Sequence, residues 1–250
     1  MNRRGASGVM SLAVPTRKTP KIQVALVGAD GAGKSTISQM LEQVVLPLPV
    51  KRIYMGVNLE ASSLMLPTTR LLLCIKRARG GRPDLVASNL AERPRGLPTT
   101  KSRRLRRTLK DGARLTVWML EEWLRQLVAV GYSSCGYIVV FDRHFFADYY
   151  DADIVSRPTG REPFNRLHGW MLQHAYPKPA LVICLDAPAE VLFARKPESS
   201  TEWLEQRRQQ YLRLAGVVPS FVLVDADRPL DAVLDDVVAI IRTQWKATSA

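Results

Sequence analysis

The sequence is poor in the side chains that build disulfide, zinc or redox chemistry. It carries three cysteines and three histidines among 250 residues. Cys74, Cys135 and Cys184 stand apart in apolar segments, an odd number without regular spacing, which argues against a disulfide framework. No CxxC pair or Cys/His cluster suggests a zinc site. The three read as small buried hydrophobes in a reducing cytoplasm. Long apolar runs are missing as well. A membrane-spanning helix needs about 18 or more uninterrupted apolar residues, and none is present. The apolar run Val9–Val14 is short and broken by Ser11, less than a secretory signal requires. Residues 1–20 are basic and rich in Gly, Ser and Pro, and read as a disordered leader.

Acidic residues are also in deficit, 23 against 36 Lys and Arg, for a formal charge of +13. That balance favours anionic partners: nucleotides, nucleic acid or an anionic membrane surface. The apolar fraction of 46% is enough to bury a core. Short apolar runs at Ile22–Val27, Lys51–Met55, Tyr137–Phe141, Ala180–Leu185 and Phe221–Val224 read as strands. Helical patterns lie between them, at about 35–45, 61–79, 102–130, 161–176, 188–194, 201–214 and 230–242. Residues 80–100 read as a loop. Five strands alternating with helices imply an α/β fold with a five-stranded parallel sheet covered by helices on both faces. In such sheets ligands bind beyond the carboxyl ends of the strands, which places Gly28, Asp142, Asp186 and Asp225 along one edge.

Gly28-Ala29-Asp30-Gly31-Ala32-Gly33-Lys34-Ser35 is a GxxxxGKS turn, with an apolar strand before it and a helix after it. Its glycines let consecutive backbone N–H groups face one point, where with the helix N-terminus they hold phosphate oxygens. Lys34 reaches the β- and γ-phosphates, and the Ser35 hydroxyl ligates Mg²⁺. Together these features predict a P-loop NTPase that uses ATP and Mg²⁺. Asp142, at the end of the third strand, either completes the Mg²⁺ shell or orients an attacking hydroxyl. Arg143 beside it suits a bidentate clamp on an acceptor phosphate, with a structural salt bridge as the plainer alternative. Arg195-Lys196 lies one helix beyond the fourth strand. It reads either as part of a lid that neutralises charge over the phosphates or as a solvated basic surface.

The loop Gly28 to Thr36, with an aspartate inside it, resembles the phosphate loop of the thymidylate kinases. Asp142-Arg143-His144 is similar to their DR(Y/H) motif. Leu185-Asp186-Ala187-Pro188-Ala189-Glu190, with Arg195 beyond, resembles their LDxxPE segment. Arg208 to Ala215 resembles their RxxYxxLA helix, and Asp225-Ala226 with Pro229, Leu230 and Val233 their terminal DAxxPxxxV pattern. The likeness spans about residues 22–242. It implies a single kinase domain over 21–245, an acceptor-side insertion over about 56–115 and a short lid over about 195–203. It also implies roles. Lys34, Asp142, Arg143 and Arg195 would be catalytic. Gly28, Asp30, Gly31, Ala32, Gly33, Lys34, Ser35 and Thr36 would bind ATP, and Ser35 and Asp142 the Mg²⁺. Asp30, Arg114 and Arg143 would hold the acceptor.

Where that family carries Arg-Glu-Pro after its second strand, this sequence reads Met55-Gly56-Val57-Asn58-Leu59-Glu60, and residues 61–110 are longer and more basic. The expected reaction is γ-phosphoryl transfer from MgATP to a small anionic acceptor, a nucleoside monophosphate such as thymidylate. The alternatives are a phosphosugar or lipid-linked acceptor, or a non-catalytic ATP-binding module. The basic run Lys101–Lys110 lacks interleaved aromatics and does not read as a nucleic-acid platform. A homodimer is a further expectation. His168 and His174 fall on a helix where packing explains them. The Trp118/Trp123 and Phe145/Phe146 pairs read as core.

Overall fold

A computed structural model describes residues 21–56, 62–78, 80, 101–150, 155 and 163–249; of residues 101–111, 114, 115 and 163–165 it describes the backbone alone. The segments 1–20 and 81–100, expected to be a leader and a loop, lie outside the described residues, as does part of the 56–115 insertion.

The five apolar runs form one all-parallel sheet: β1 (Gln23–Val27), β2 (Val50–Tyr54), β3 (Ile138–Asp142), β4 (Leu181–Asp186) and β5 (Phe221–Asp225). Their order is β2-β3-β1-β4-β5, so the chain crosses over after the first strand and leaves β1 in the centre. The chain has the α/β fold of a P-loop NTPase. Strands β1, β3 and β4 are buried along almost their whole length, because helices cover both faces. On one face Val24, Leu26, Ile138, Val140 and Ile183 pack against α1 (Lys34–Leu41), α6 (Ala189–Arg195) and α8 (Leu230–Ser249). On the other, Ala25, Val27, Val139, Phe141 and Val182 meet α3 (Lys101–Ser134), α4 (Phe145–Tyr149) and α5 (Pro163–His174). The remaining α-helices among the described residues are α2 (Pro67–Ala78) and α7 (Thr201–Leu212).

Several boundaries move for physical reasons. The second helix starts at Pro67 rather than near residue 61, since proline at the first helical position lacks an N–H that would go unpaired there anyway. The last helix runs to Ser249, beyond Arg242, and Trp245 packs onto the core from that extension. Trp118, Trp123, Phe145 and Phe146 belong to the core, as expected. The cysteines do not all behave as expected: Cys184 is buried in β4, but Cys74 and Cys135 are exposed. No described helix is long and apolar enough to cross a membrane.

The 34-residue helix α3 is turned the opposite way from its composition. Glu121, Glu122, Arg125 and Gln126 are buried, while Leu120, Leu127 and Val130 face solvent. Two of these buried polar groups, Arg125 and Glu121, pair backbone that would otherwise be left unpaired. Arg125 Nη1 donates to Gly56 O at 3.0 Å and to Tyr54 O at 3.5 Å. Glu121 accepts from Leu66 N at 3.0 Å, and Glu122 meets His168 Nε2 at 3.3 Å.

Candidate active site

The site grows from the turn between β1 and α1. Gly28 has φ +139°, and a Cβ there would lie 2.3 Å from Leu185 O, so only glycine fits the approach of the loop to β4. Gly31, at φ +90°, faces Leu192 O in the same way. Gly33 is left-handed and leads directly into α1, so the helix N-terminus opens onto the loop.

Lys34 lies almost wholly inside this turn, and its Nζ donates to Ala29 O at 2.7 Å. Burial, and then the nearby Arg143 cation, pull its ammonium down to about 8. Ser35 follows on the first turn of α1 and donates from Oγ to Asp142 Oδ1 at 3.2 Å. That contact depends on the sheet, because Leu26 of β1 pairs in register with Asp142 of β3. Asp142 is only 2% exposed, and its second oxygen lies 3.6 Å from Arg52 Nη1 on β2.

Arg143 is the one described non-glycine residue with positive φ, at +66°. A left-handed arginine costs roughly 1–2 kcal/mol and persists only where its surroundings over-determine it. Here its N–H donates to Leu26 O at 3.1 Å, and its guanidinium forms an ion pair with Asp30 of the phosphate loop. Burial works to raise the Asp30 carboxyl, but Arg143, helped by Lys34, holds it below its ordinary range. Burial likewise opposes the charge on Arg143, and Asp30 and Asp148 overcome it, so the guanidinium stays fully charged.

Behind this pair lies a second layer. Tyr211 OH donates to Asp148 Oδ1 at 2.6 Å, Arg207 Nη2 donates to Tyr211 OH at 2.9 Å and lies 3.5 Å from Asp148. Asp148 Oδ2 is buried with no hydrogen-bond partner among the described residues. Charge therefore alternates through Asp30, Arg143, Asp148 and Arg207. Close by, a Cβ on Gly56 would lie 2.6 Å from Tyr54 OH and 2.8 Å from Arg143 Cδ.

These groups meet at a cavity of about 520 Å³ lined by the loop from Asp30 through Thr36, Arg143, Arg195, Lys196 and Arg228. Asp30, Lys34, Ser35 and Arg143 share this cavity, and Asp142 joins them through Ser35. Arg195 lines the cavity from the far side, where its Nη1 donates to Ala226 O at 2.9 Å and its Nη2 lies 3.8 Å from Asp227. Asp186 is taken up by Arg208, at 2.6 and 2.9 Å through both nitrogens. Arg114 falls on α3, and its side chain is outside the described residues. Sequence reasoning missed Arg52, Asp148, Arg207 and Arg228. Each is brought in by tertiary contact, and Asp148 alone carried a local hint, six residues beyond Asp142 on the same connection. His144 is not a base here: its Nδ1 accepts from Phe146 N at 3.3 Å and caps α4, and burial pushes the ring down to about 3.

No protein-family model matches the chain. It is 23% identical over 251 residues to YghS of Escherichia coli (strain K12), an uncharacterized ATP-binding protein, with 94% of this chain and 95% of that protein aligned.

Proposed function

We propose that the chain is an ATP-dependent phosphotransferase of the thymidylate kinase-like kind. It would move the γ-phosphoryl group of MgATP to a small anionic acceptor, first of all a nucleoside monophosphate such as thymidylate. One juxtaposition carries this reading: Lys34, the Ser35–Asp142 pair and Arg143 line up where the carboxyl ends of β1 and β3 meet a glycine-built phosphate turn. The likeness to an ATP-binding protein over nearly the whole length of both chains supports the donor half.

The residues present fit the metal. Ser35 and Asp142 offer a hydroxyl and a carboxylate, hard oxygen donors, 3.2 Å apart. Among the described residues no group of three or more His, Cys, Asp or Glu side chains could hold an ion by itself, which suits Mg²⁺ arriving with the nucleotide. Ser35 and Asp142 would hold it, and its charge would there offset that of the transferring phosphates. The rest falls to the chain. Loop N–H groups and Lys34 bind and orient the phosphates, Arg143 holds the acceptor's anionic group, and Asp30 positions the acceptor. Arg195 and Lys196 close over the cavity from a lid at about 195–203, and Arg114 belongs with the acceptor-side insertion over about 56–115. Positioning and fixed charge are what such transfers require.

A phosphorylated non-nucleotide acceptor is the second reading. It is favoured by Gly56, which sits against Tyr54 and Arg143 in the segment that replaces the Arg-Glu-Pro of thymidylate kinases. ATP consumption measured against nucleoside monophosphates, nucleosides and phosphosugars separates the two. The expected result is turnover with a phosphorylated acceptor that disappears in Lys34→Ala at unchanged circular dichroism. ATP binding without turnover on any acceptor would refute the kinase reading and leave a binding module.

A further inference from the structure

The helix α2, Pro67–Ala78, faces the wrong way for a helix that only covers a core. Its sole buried side chains are Thr69 and Leu73, one turn apart on a narrow inner strip. At 3.6 residues per turn the opposite side carries Leu71, Ile75 and Leu72 together. These are 62%, 41% and 54% exposed, and Cys74 and Ala78 beside them are exposed too. The helix therefore shows its aliphatic face to solvent, and three adjacent large aliphatics are not the scattered single hydrophobes of an ordinary surface.

The rim of that face is cationic. Arg70 and Arg77 lie on one flank and Lys76 on the other, and the helix contains no acidic residue. The charge is regional as well. Residues 61–110 hold 13 Lys and Arg against 2 acidic residues, a net +11 of the chain's formal +13. An aliphatic face rimmed by cations, on a helix too short to cross a bilayer, is the pattern of a helix lying in the interface of an anionic membrane. Charge decides against the other occupants. A second copy on a two-fold axis would bring Arg70, Lys76 and Arg77 against the same cations. Nucleic acid would gain nothing from the aliphatic residues and would call for aromatics.

We infer that α2 docks this chain onto an anionic lipid surface, with Leu71, Leu72 and Ile75 entering the headgroup region and Arg70 and Lys76 meeting lipid phosphates. The docking does not depend on phosphotransfer, and neither test variant touches the phosphate site.

The test uses the full chain and sedimentation with sucrose-loaded vesicles of phosphatidylcholine alone, or of phosphatidylcholine doped with phosphatidylglycerol. The chain binds the doped vesicles, not the neutral ones, and binding weakens as salt rises. Arg70→Gln with Lys76→Gln lowers the partition coefficient by about fivefold for each residue, roughly 25-fold together. Leu71→Glu with Ile75→Glu lowers it at least as far, and both variants keep the parent melting temperature and affinity for ATP. Four results would overturn the inference. They are no binding to doped vesicles, equal binding by the variants, a dimer in sedimentation velocity that Leu71→Glu/Ile75→Glu splits, or a fall in that variant's melting temperature. The third would assign the face to a second copy and the fourth to another segment of this chain.

Discussion

Replacing Asp142 by asparagine isolates the charge of one carboxylate from its shape. The amide keeps an acceptor for the Ser35 hydroxyl, now 3.2 Å from Oδ1, and fills the same buried volume. Only the negative charge is lost. In the protein without nucleotide that charge faces Arg52, whose nitrogen is 3.6 Å away and whose side chain is 31% exposed. Water already screens so exposed a partner, so the change in stability should stay within about 1 kcal/mol. In the reaction, the same charge would act on the metal or the attacking hydroxyl, inside a cleft where fixed charge counts for more. Losing one such fixed group costs about 10²–10³ in kcat, or roughly 3–4 kcal/mol. ATP affinity should barely move, because the proposed phosphate ligands are the loop N–H groups and Lys34, on whose charge Asp142 acts less than Asp30 and Asp148 do.

Steady-state kinetics at saturating acceptor, together with calorimetric titration of ATP, read the two effects separately. The expected pattern is a large fall in kcat, a small change in Kd for ATP and a higher Mg²⁺ concentration at half-maximal rate. A loss confined to KM for ATP would make Asp142 a ground-state contact, and an unchanged kcat would remove it from the chemistry altogether. A large drop in melting temperature would instead show that the carboxylate is chiefly a structural partner of Arg52.

Three other perturbations follow from the same geometry. Gly56→Ala places a Cβ 2.8 Å from Arg143 Cδ, so acceptor kcat/KM should fall by about tenfold or more while Kd for ATP stays level in titration. Gly28→Ala meets Leu185 O at 2.3 Å and a positive φ together, and urea melts should show a loss of at least about 2 kcal/mol. Burial, then Asp186, pushes the Cys184 thiol up to about 12, and burial raises the phenols of Tyr176 and Tyr211, so the folded chain keeps protons that the unfolded chain releases above about pH 9. Stability should therefore be fully present below about pH 9 and fall as pH rises beyond it, while a thiol reagent reaches Cys74 and Cys135 in the native protein and Cys184 only after unfolding.

The sheet was legible because buried parallel strands have to be apolar throughout, and IQVALV, YIVVF and ALVICL admit no second period. The phosphate turn was legible because its backbone demands glycine: Gly28 and Gly31 sit where a Cβ would strike the backbone carbonyls of Leu185 and Leu192. The orientation of α3 was not. Its sequence reads as basic and then amphipathic, and only the folded chain shows that the carbonyls of Tyr54 and Gly56 draw Arg125 inside and the amide of Leu66 draws Glu121. Those partners lie 71, 69 and 55 residues away, and a local period carries no information about them. The exposed Cys74 and Cys135 escaped for a related reason. Each lies in an apolar stretch, but in α2 the apolar side is the outer one.

The pairing of Asp30 with Arg143 bears most on how the site works. Taken singly, each is a polar residue at a strand end, free to be assigned to an acceptor. Under the proposed function the pair would join the phosphate loop to the acceptor side, since Asp30 belongs to the first and Arg143, held left-handed by Leu26 O, would hold the acceptor's anion. An acceptor anion that binds Arg143 must either share its guanidinium with Asp30 or displace it. Sharing uses the fork geometry, in which one guanidinium serves two oxygen partners through different nitrogens. Displacement releases Asp30 toward the acceptor's hydroxyl and takes a cation's support away from the carboxylate. In both cases acceptor binding would be felt in the loop proposed to grip the donor phosphates. Asp148 and Arg207 would support this by continuing the alternation of charge behind Arg143, so that the half-buried guanidinium stays charged whichever partner it faces. A kinase must keep its phosphate donor from water until the acceptor is in place. If the chain is such a kinase, the Asp30–Arg143 ion pair would link those events through residues that the linear sequence holds 113 positions apart.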